Sequence, residues 1–142
     1  MYNILISGYY GFNNIGDESI LRTVIDNLRE KLPQVDITVL SQSPAQTAEK
    51  YGVKAAARMN PWAILRSVRR CDMLLSGGGS LLQDATSGRS ILYYLFILRL
   101  AQLMGKRTFI YSQGIGPIFS ARNRRFTAFV LRRTDGIVVR DS

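Results

Sequence analysis

The sequence predicts an α/β fold, a Rossmann-like parallel sheet with helices on both faces, and three observations predict it. Strand and helix signals alternate along the chain, the pattern of a sheet whose strands are joined by crossover helices. The strand signals are short, near-continuous apolar runs such as Ile4-Leu5-Ile6 and Met73-Leu74-Leu75, as expected for strands covered on both faces. Several of these runs end directly in glycine-bearing polar loops. In open α/β sheets such loops line the edge where ligands bind.

Taken in order, residues 2–7 are an apolar run closed by Gly8 and read as a buried strand. Over 19–32, Ile20, Leu21, Val24, Ile25, Leu28 and Leu32 fall on one helical stripe, and Pro33 stops it. Residues 36–40 are the next strand, followed by a weaker helix over 44–51 and a short extended piece near 53–56. Pro61 suits the first turn of a helix carrying Trp62, Ile64, Leu65 and Val68. Residues 73–76 form a strand that runs into Gly77-Gly78-Gly79. An apolar helix over 90–104 ends at Gly105 and contains eight apolar residues in a row from Ile91 to Leu98, between Arg89 and Arg99. A bilayer span needs roughly 20 apolar residues, so this helix is expected to be core and not transmembrane. A strand over 108–112, a basic amphipathic helix over 122–133 and a last strand over 137–139 complete the chain. With no repeat or linker, residues 1–142 are expected to form one domain. Because no closing helix follows the last strand, that domain is expected to be part of something longer.

Composition narrows the chemistry. Net charge is +9, carried by 15 Arg and 4 Lys, and it is lopsided. Residues 1–57 hold 5 basic and 6 acidic side chains, whereas residues 58–142 hold 14 and 4. Such an imbalance favours anionic partners. The aromatic residues do not interleave with the basic cluster, so nucleic acid is not the expected one. Histidine is absent, which excludes Ser/His/Asp and Cys/His arrangements and the common His-containing zinc sites within this sequence. The single cysteine, Cys71, excludes an intramolecular disulfide. Together with the lack of a signal peptide, it points to a reducing cytoplasmic setting.

Three loops can carry function. The first runs Ser7-Gly-Tyr-Tyr-Gly-Phe-Asn-Asn-Ile-Gly-Asp-Glu18. It lacks the G-x-G-x-x-G dinucleotide fingerprint. Asn13 and Asn14 offer amides at its mouth, and Asp17 and Glu18 stand at a helix start, where Asp caps well and both acids suit the positive end. The second runs from Ser76 through Gly77, Gly78, Gly79 and Ser80 to Gln83 and Asp84. Successive glycine N–H groups after a strand make a cradle for an anion or a hydroxyl. The third, Ser112-Gln113-Gly-Ile-Gly-Pro117, presents the Gln113 amide. Arg140, at the end of the last strand, is a candidate clamp for carboxylate or phosphate.

Taken together, the loop from Gly8 to Glu18, Ser-Gly-Gly-Gly-Ser-Leu-Leu-Gln-Asp, Ser-Gln-Gly-Ile-Gly-Pro and the terminal Val-Arg-Asp-Ser resemble the polysaccharide pyruvyl transferase family, in particular its bacterial members that act on secondary cell-wall polymer. The resemblance implies the N-terminal half of a GT-B-like two-domain enzyme, with a C-terminal domain that carries a catalytic histidine. The half alone is then expected to be inactive. It further implies phosphoenolpyruvate as donor, a lipid-linked or polymer-borne sugar as acceptor, and no metal or other cofactor. The reaction would lie at the inner face of the membrane, with peripheral attachment through the basic surplus. By analogy, Asp17 and Arg140 take the catalytic roles. Asn13, Asn14, Gly77, Gly78, Gly79, Ser80, Gln83, Asp84 and Gln113 bind substrate. The N-terminal domain of a nucleotide-sugar glycosyltransferase of the same architecture is the alternative.

Overall fold

The computed structural model describes residues 2–13, 15–77, 88–112 and 121–139. Eleven elements alternate strictly: β1 (Tyr2–Ser7), α1 (Ile15–Lys31), β2 (Val35–Ser41), α2 (Pro44–Tyr51), β3 (Lys54–Ala57), α3 (Pro61–Arg70), β4 (Met73–Gly77), α4 (Gly88–Leu103), β5 (Arg107–Ser112), α5 (Ala121–Leu131) and β6 (Gly136–Val139). The six strands form one sheet in the order β3-β2-β1-β4-β5-β6, and every pairing is parallel. This is the doubly wound order, in which the chain builds outward from β1, returns, and builds outward again from β4.

The two-residue period of each strand explains why both faces are covered. Ile4, Ile6, Ile37, Val39 and Leu75 project to one side and meet Ile20, Leu21, Val24 and Ile25 of α1 and Tyr51 of α2. Their neighbours Leu5, Leu40, Leu74 and Ile110 project to the other side, against Val68 of α3, Leu95, Leu98 and Ala101 of α4, and Val130 of α5. A one-residue slip in any central strand would exchange the two sets. Leu5 and Leu74 are fully buried, so cutting either back to Ala costs about 2–5 kcal/mol.

Local signals set several boundaries. The Asn60 side chain accepts from the N–H groups of Trp62 and Ala63, with Pro61 at the first helical position of α3. Gly52 closes α2 with φ 65° and returns its N–H to Ala48 O. On the amino edge, Asp72 and Asp135 each precede a strand and accept the N–H of Asn3 and Thr108 across the sheet at 2.8 and 2.7 Å. Helix α1 begins at Ile15, four residues before the start predicted from its apolar stripe. Among the described residues, no helix is long and apolar enough to cross a membrane.

Candidate functional site at the carboxyl rim

All six strands point the same way, so their carboxyl ends share one rim. The register sets the loop origins side by side. Ser7 lies opposite Ser76, Gly77 opposite Tyr111, and Ser112 opposite Val139. The winding direction reverses between β1 and β4, which opens a crevice at their carboxyl ends.

The first loop is fastened by its own sequence. Gly11 has φ 87°, and a Cβ there would lie 2.2 Å from Ser41 Oγ and 2.6 Å from Ser43 N. Only glycine lets the loop press this closely on the turn after β2. Hydrogen bonds then fix the contact: Gln42 N–H to Tyr10 O at 3.0 Å, and the Ser43 hydroxyl to Gly11 O at 3.0 Å. Glu18 accepts from the Gly11 N–H at 3.3 Å and from the Tyr51 hydroxyl at 2.9 Å, with Lys50 Nζ 3.9 Å away. Its role is therefore to clamp the loop to α2, which goes beyond favourable charge at a helix end. Tyr10 is fully buried beneath the loop. Burial, with the Asp17 charge adding to it, holds its phenol protonated well above the usual range.

Asp17 stands in the first turn of α1 and is not its N-cap, because the helix starts at Ile15. Burial, followed by the neighbouring Glu18 charge, raises its carboxyl above the ordinary value of 3.8. A carboxyl shifted upward at the rim of a ligand crevice is the kind of group that serves as a base or acid. Asn13 is exposed with φ 61° and borders a shallow hollow with Glu18, Arg22 and Lys50. Asp17 does not line that hollow. Gly77 ends β4 beside Tyr111. Asn14, Gly78, Gly79, Ser80, Gln83, Asp84, Gln113 and Arg140 lie outside the described residues.

Sequence reasoning missed Arg58, which directly follows β3 on the same rim. Its guanidinium is ringed by aromatic faces at 4.5 Å (Tyr93), 5.1 Å (Phe12), 5.8 Å (Tyr9) and 5.9 Å (Tyr94). Tyr9 and Phe12 stack on each other at 4.0 Å. Arg58 donates to the Tyr94 hydroxyl at 3.1 Å, and the Tyr93 hydroxyl donates to Arg58 O. Burial pushes the Tyr94 phenol up to about 12, against the pull of Arg58 and with a smaller upward push from Asp17. Arg58, Tyr94, Asp17 and Tyr10 therefore form one electrostatic neighbourhood. Two buried polar atoms here have no hydrogen-bond partner, Ser7 Oγ and Arg58 Nε. Leaving such a group without a partner costs about 1–3 kcal/mol. The sequence signals that could have found this cluster are the adjacent Tyr93-Tyr94 pair within an apolar helix and the Tyr9…Phe12 spacing.

A cavity of about 650 Å³ lies elsewhere, between α3 and the beginnings of β1 to β3, where Asp36 and Lys54 pair at 2.8 Å. It opens on the amino half of the strands, away from the edge where such sheets bind ligands. Among the described residues, no group of three His, Cys, Asp or Glu side chains could hold a metal. Cys71 is buried, its thiol donating to Val68 O at 3.1 Å, and burial raises it to about 11. It is no nucleophile.

Rossmann-like α/β domains are built this way, and the sheet order and parallel pairing assign the chain to that class. Within it, the chain belongs to the polysaccharide pyruvyl transferase family, whose model matches residues 14–142. No curated protein matches the sequence. Among solved structures, homoserine dehydrogenase of S. aureus is similar at 13% identity and a TM-score of 0.48, over 97% of this chain and 32% of that one. The chain thus spans about a third of that protein's length.

Proposed function

We propose that this domain supplies the acceptor side of a pyruvyl transfer from phosphoenolpyruvate to a sugar of a cell-wall polysaccharide precursor. The family match over residues 14–142 carries the reading, and the side-by-side loop origins at the carboxyl rim support it. Phosphoenolpyruvate is an enol phosphate that reacts as an enol ether does. A proton delivered to its methylene carbon makes the methyl group and leaves an oxocarbenium-like centre at the adjacent carbon. One sugar hydroxyl adds there and gives up its proton to a base. A second hydroxyl of the same sugar then displaces phosphate, which departs with that hydroxyl's proton, and the cyclic ketal closes. Such a path needs a base near the sugar and cations near the phosphate and carboxylate. Asp17, with its upward-shifted carboxyl, is the proposed base. Arg58 and Arg140 are the proposed cations, and the glycine N–H groups after β4 the proposed cradle. The general acid, and a second domain to hold the donor, lie beyond this sequence in the proposal, which takes the reaction to the inner face of the membrane with a lipid-linked acceptor.

Phosphate release from phosphoenolpyruvate, measured on the full-length enzyme with a cell-wall polysaccharide fraction as acceptor, tests this. Release should require the acceptor. It should fall by roughly a hundredfold or more in Asp17→Asn and Arg58→Ala, as loss of a general base or of a charge-stabilising group does. Wild-type rates in both variants remove these residues from the site. Consumption of a nucleotide sugar in place of phosphoenolpyruvate would refute the reaction itself.

A further inference from the structure

The layer formed by α3, α4 and α5 carries eight arginines and no aspartate or glutamate. Among the described residues, the acids that flank these helices, Asp72 and Asp135, are held at the amino edge by backbone N–H groups. The same layer exposes large apolar side chains: Met59 at 65%, Trp62 at 73%, Phe96 at 62% and Leu103 at 68%. Helix α4 is apolar on both sides. Tyr94, Leu95, Leu98 and Ala101 are buried inward, whereas Phe96 and Leu103 stand outside. Phe96 meets Phe126 of α5 edge-on at 5.7 Å and still stays largely exposed, so packing within the domain covers only part of this outward apolar stripe.

We propose that this face docks on a bilayer surface containing acidic lipid. Trp62, Phe96 and Leu103 enter the headgroup boundary, and the surrounding arginines, Arg66 and Arg69 of α3 foremost, meet lipid phosphates. Charge complementarity and exposed apolar groups together select this occupant. Acyl chains accept the apolar side chains, acidic headgroups accept the guanidinium groups, and Trp belongs at such a boundary. A second copy of the chain would set eight arginines against eight, so like charge opposes self-association here. Nucleic acid would meet the arginines but gives Met59 and Leu103 no apolar seat. An apolar groove between α3 and α4, lined by Met59, Ile64, Phe96, Ile97 and Leu100, has Arg58 at one end. The inference rests on the membrane location in the proposed reading and adds the face and the residues that make the contact; vesicle binding and phosphate release test the two separately.

Trp62 is the only tryptophan in the sequence and reports on its own burial. With phosphatidylcholine vesicles containing phosphatidylglycerol, its emission should shift to the blue and be quenched by brominated acyl chains. Pure phosphatidylcholine should do neither. The double variant Arg66→Gln/Arg69→Gln should bind about 25-fold more weakly, at about fivefold per arginine near an acidic surface. Lys31→Gln, on the opposite layer, should bind like the parent. A melting temperature matching the parent's shows that the double variant is folded. The proposal is overturned if acidic vesicles produce no shift, if the double variant binds undiminished, or if a short RNA duplex shifts Trp62 while vesicles do not.

Discussion

The two helical layers cover the same sheet and do opposite work. α1 and α2 carry five acidic and four basic side chains, and are tied into the rim by Gly11, Glu18, Ser43 and Tyr51. α3 to α5 carry only positive charge and turn apolar side chains outward. Among the described residues, their thread into the rim is Tyr93 and Tyr94 of α4, which hold Arg58. The difference teaches where each layer's sequence is constrained. One layer is fixed by inward hydrogen bonding, while the other has an outer surface that folding does not require.

The largest test of this contrast is Gly11→Ala. Its added Cβ meets Ser41 Oγ and two backbone nitrogens, in a region of φ that L residues avoid. Strain and overlap together should cost about 2–4 kcal/mol, seen as a lower urea midpoint at an unchanged slope. A midpoint equal to the parent's would mean the loop is not locked onto the turn after β2. Smaller is the effect at Asp17, whose carboxyl is raised in the fold by burial and by Glu18. The folded chain then holds this proton more tightly than the unfolded chain, so stability falls as pH climbs from 3.8 through the folded value. Asp17→Asn should raise the melting temperature by about 1–2 °C at neutral pH, and the gain should vanish below 3.8. A gain that persists at low pH would assign it to something other than ionisation. Smallest is Leu103→Gln on the opposite layer. Stability should move by no more than about 0.5 kcal/mol, and a larger loss in chemical denaturation would show that this surface is part of the core after all.

The alternation of elements was legible because each strand is an apolar run ended by glycine or a polar turn, and each helix has a stripe. Residues 44–51 and the β4 start at Met73 fall where the sequence puts them. The start of α1 was not legible. Ile15 and Gly16 read as loop, and Asp17 reads as a cap, whereas the helix has already begun and the two acids occupy its first turn. The convergence of loops on one rim follows from parallel strands and could be foreseen. The aromatic box could not, because Arg58 meets Tyr94 across 36 residues of chain and no spacing rule links a lone arginine to a helix that far on. Nor does periodicity alone tell that α4 shows apolar groups on both sides. Its eight-residue apolar run was expected to be core, and half of that expectation is met by Tyr94, Leu95, Ile97 and Leu98, while Phe96 stands exposed.

Cys71 closes α3 and leads into β4, buried at 3% exposure and held by Val68 O. It is the only sulfhydryl in the sequence, set in the wall of the cavity beside α3, and an alkylating reagent reaches it fastest when α3 lifts from the sheet. The labelling rate of the native protein therefore counts those openings, and gives a clock for the motion of the arginine-bearing layer that needs no introduced probe.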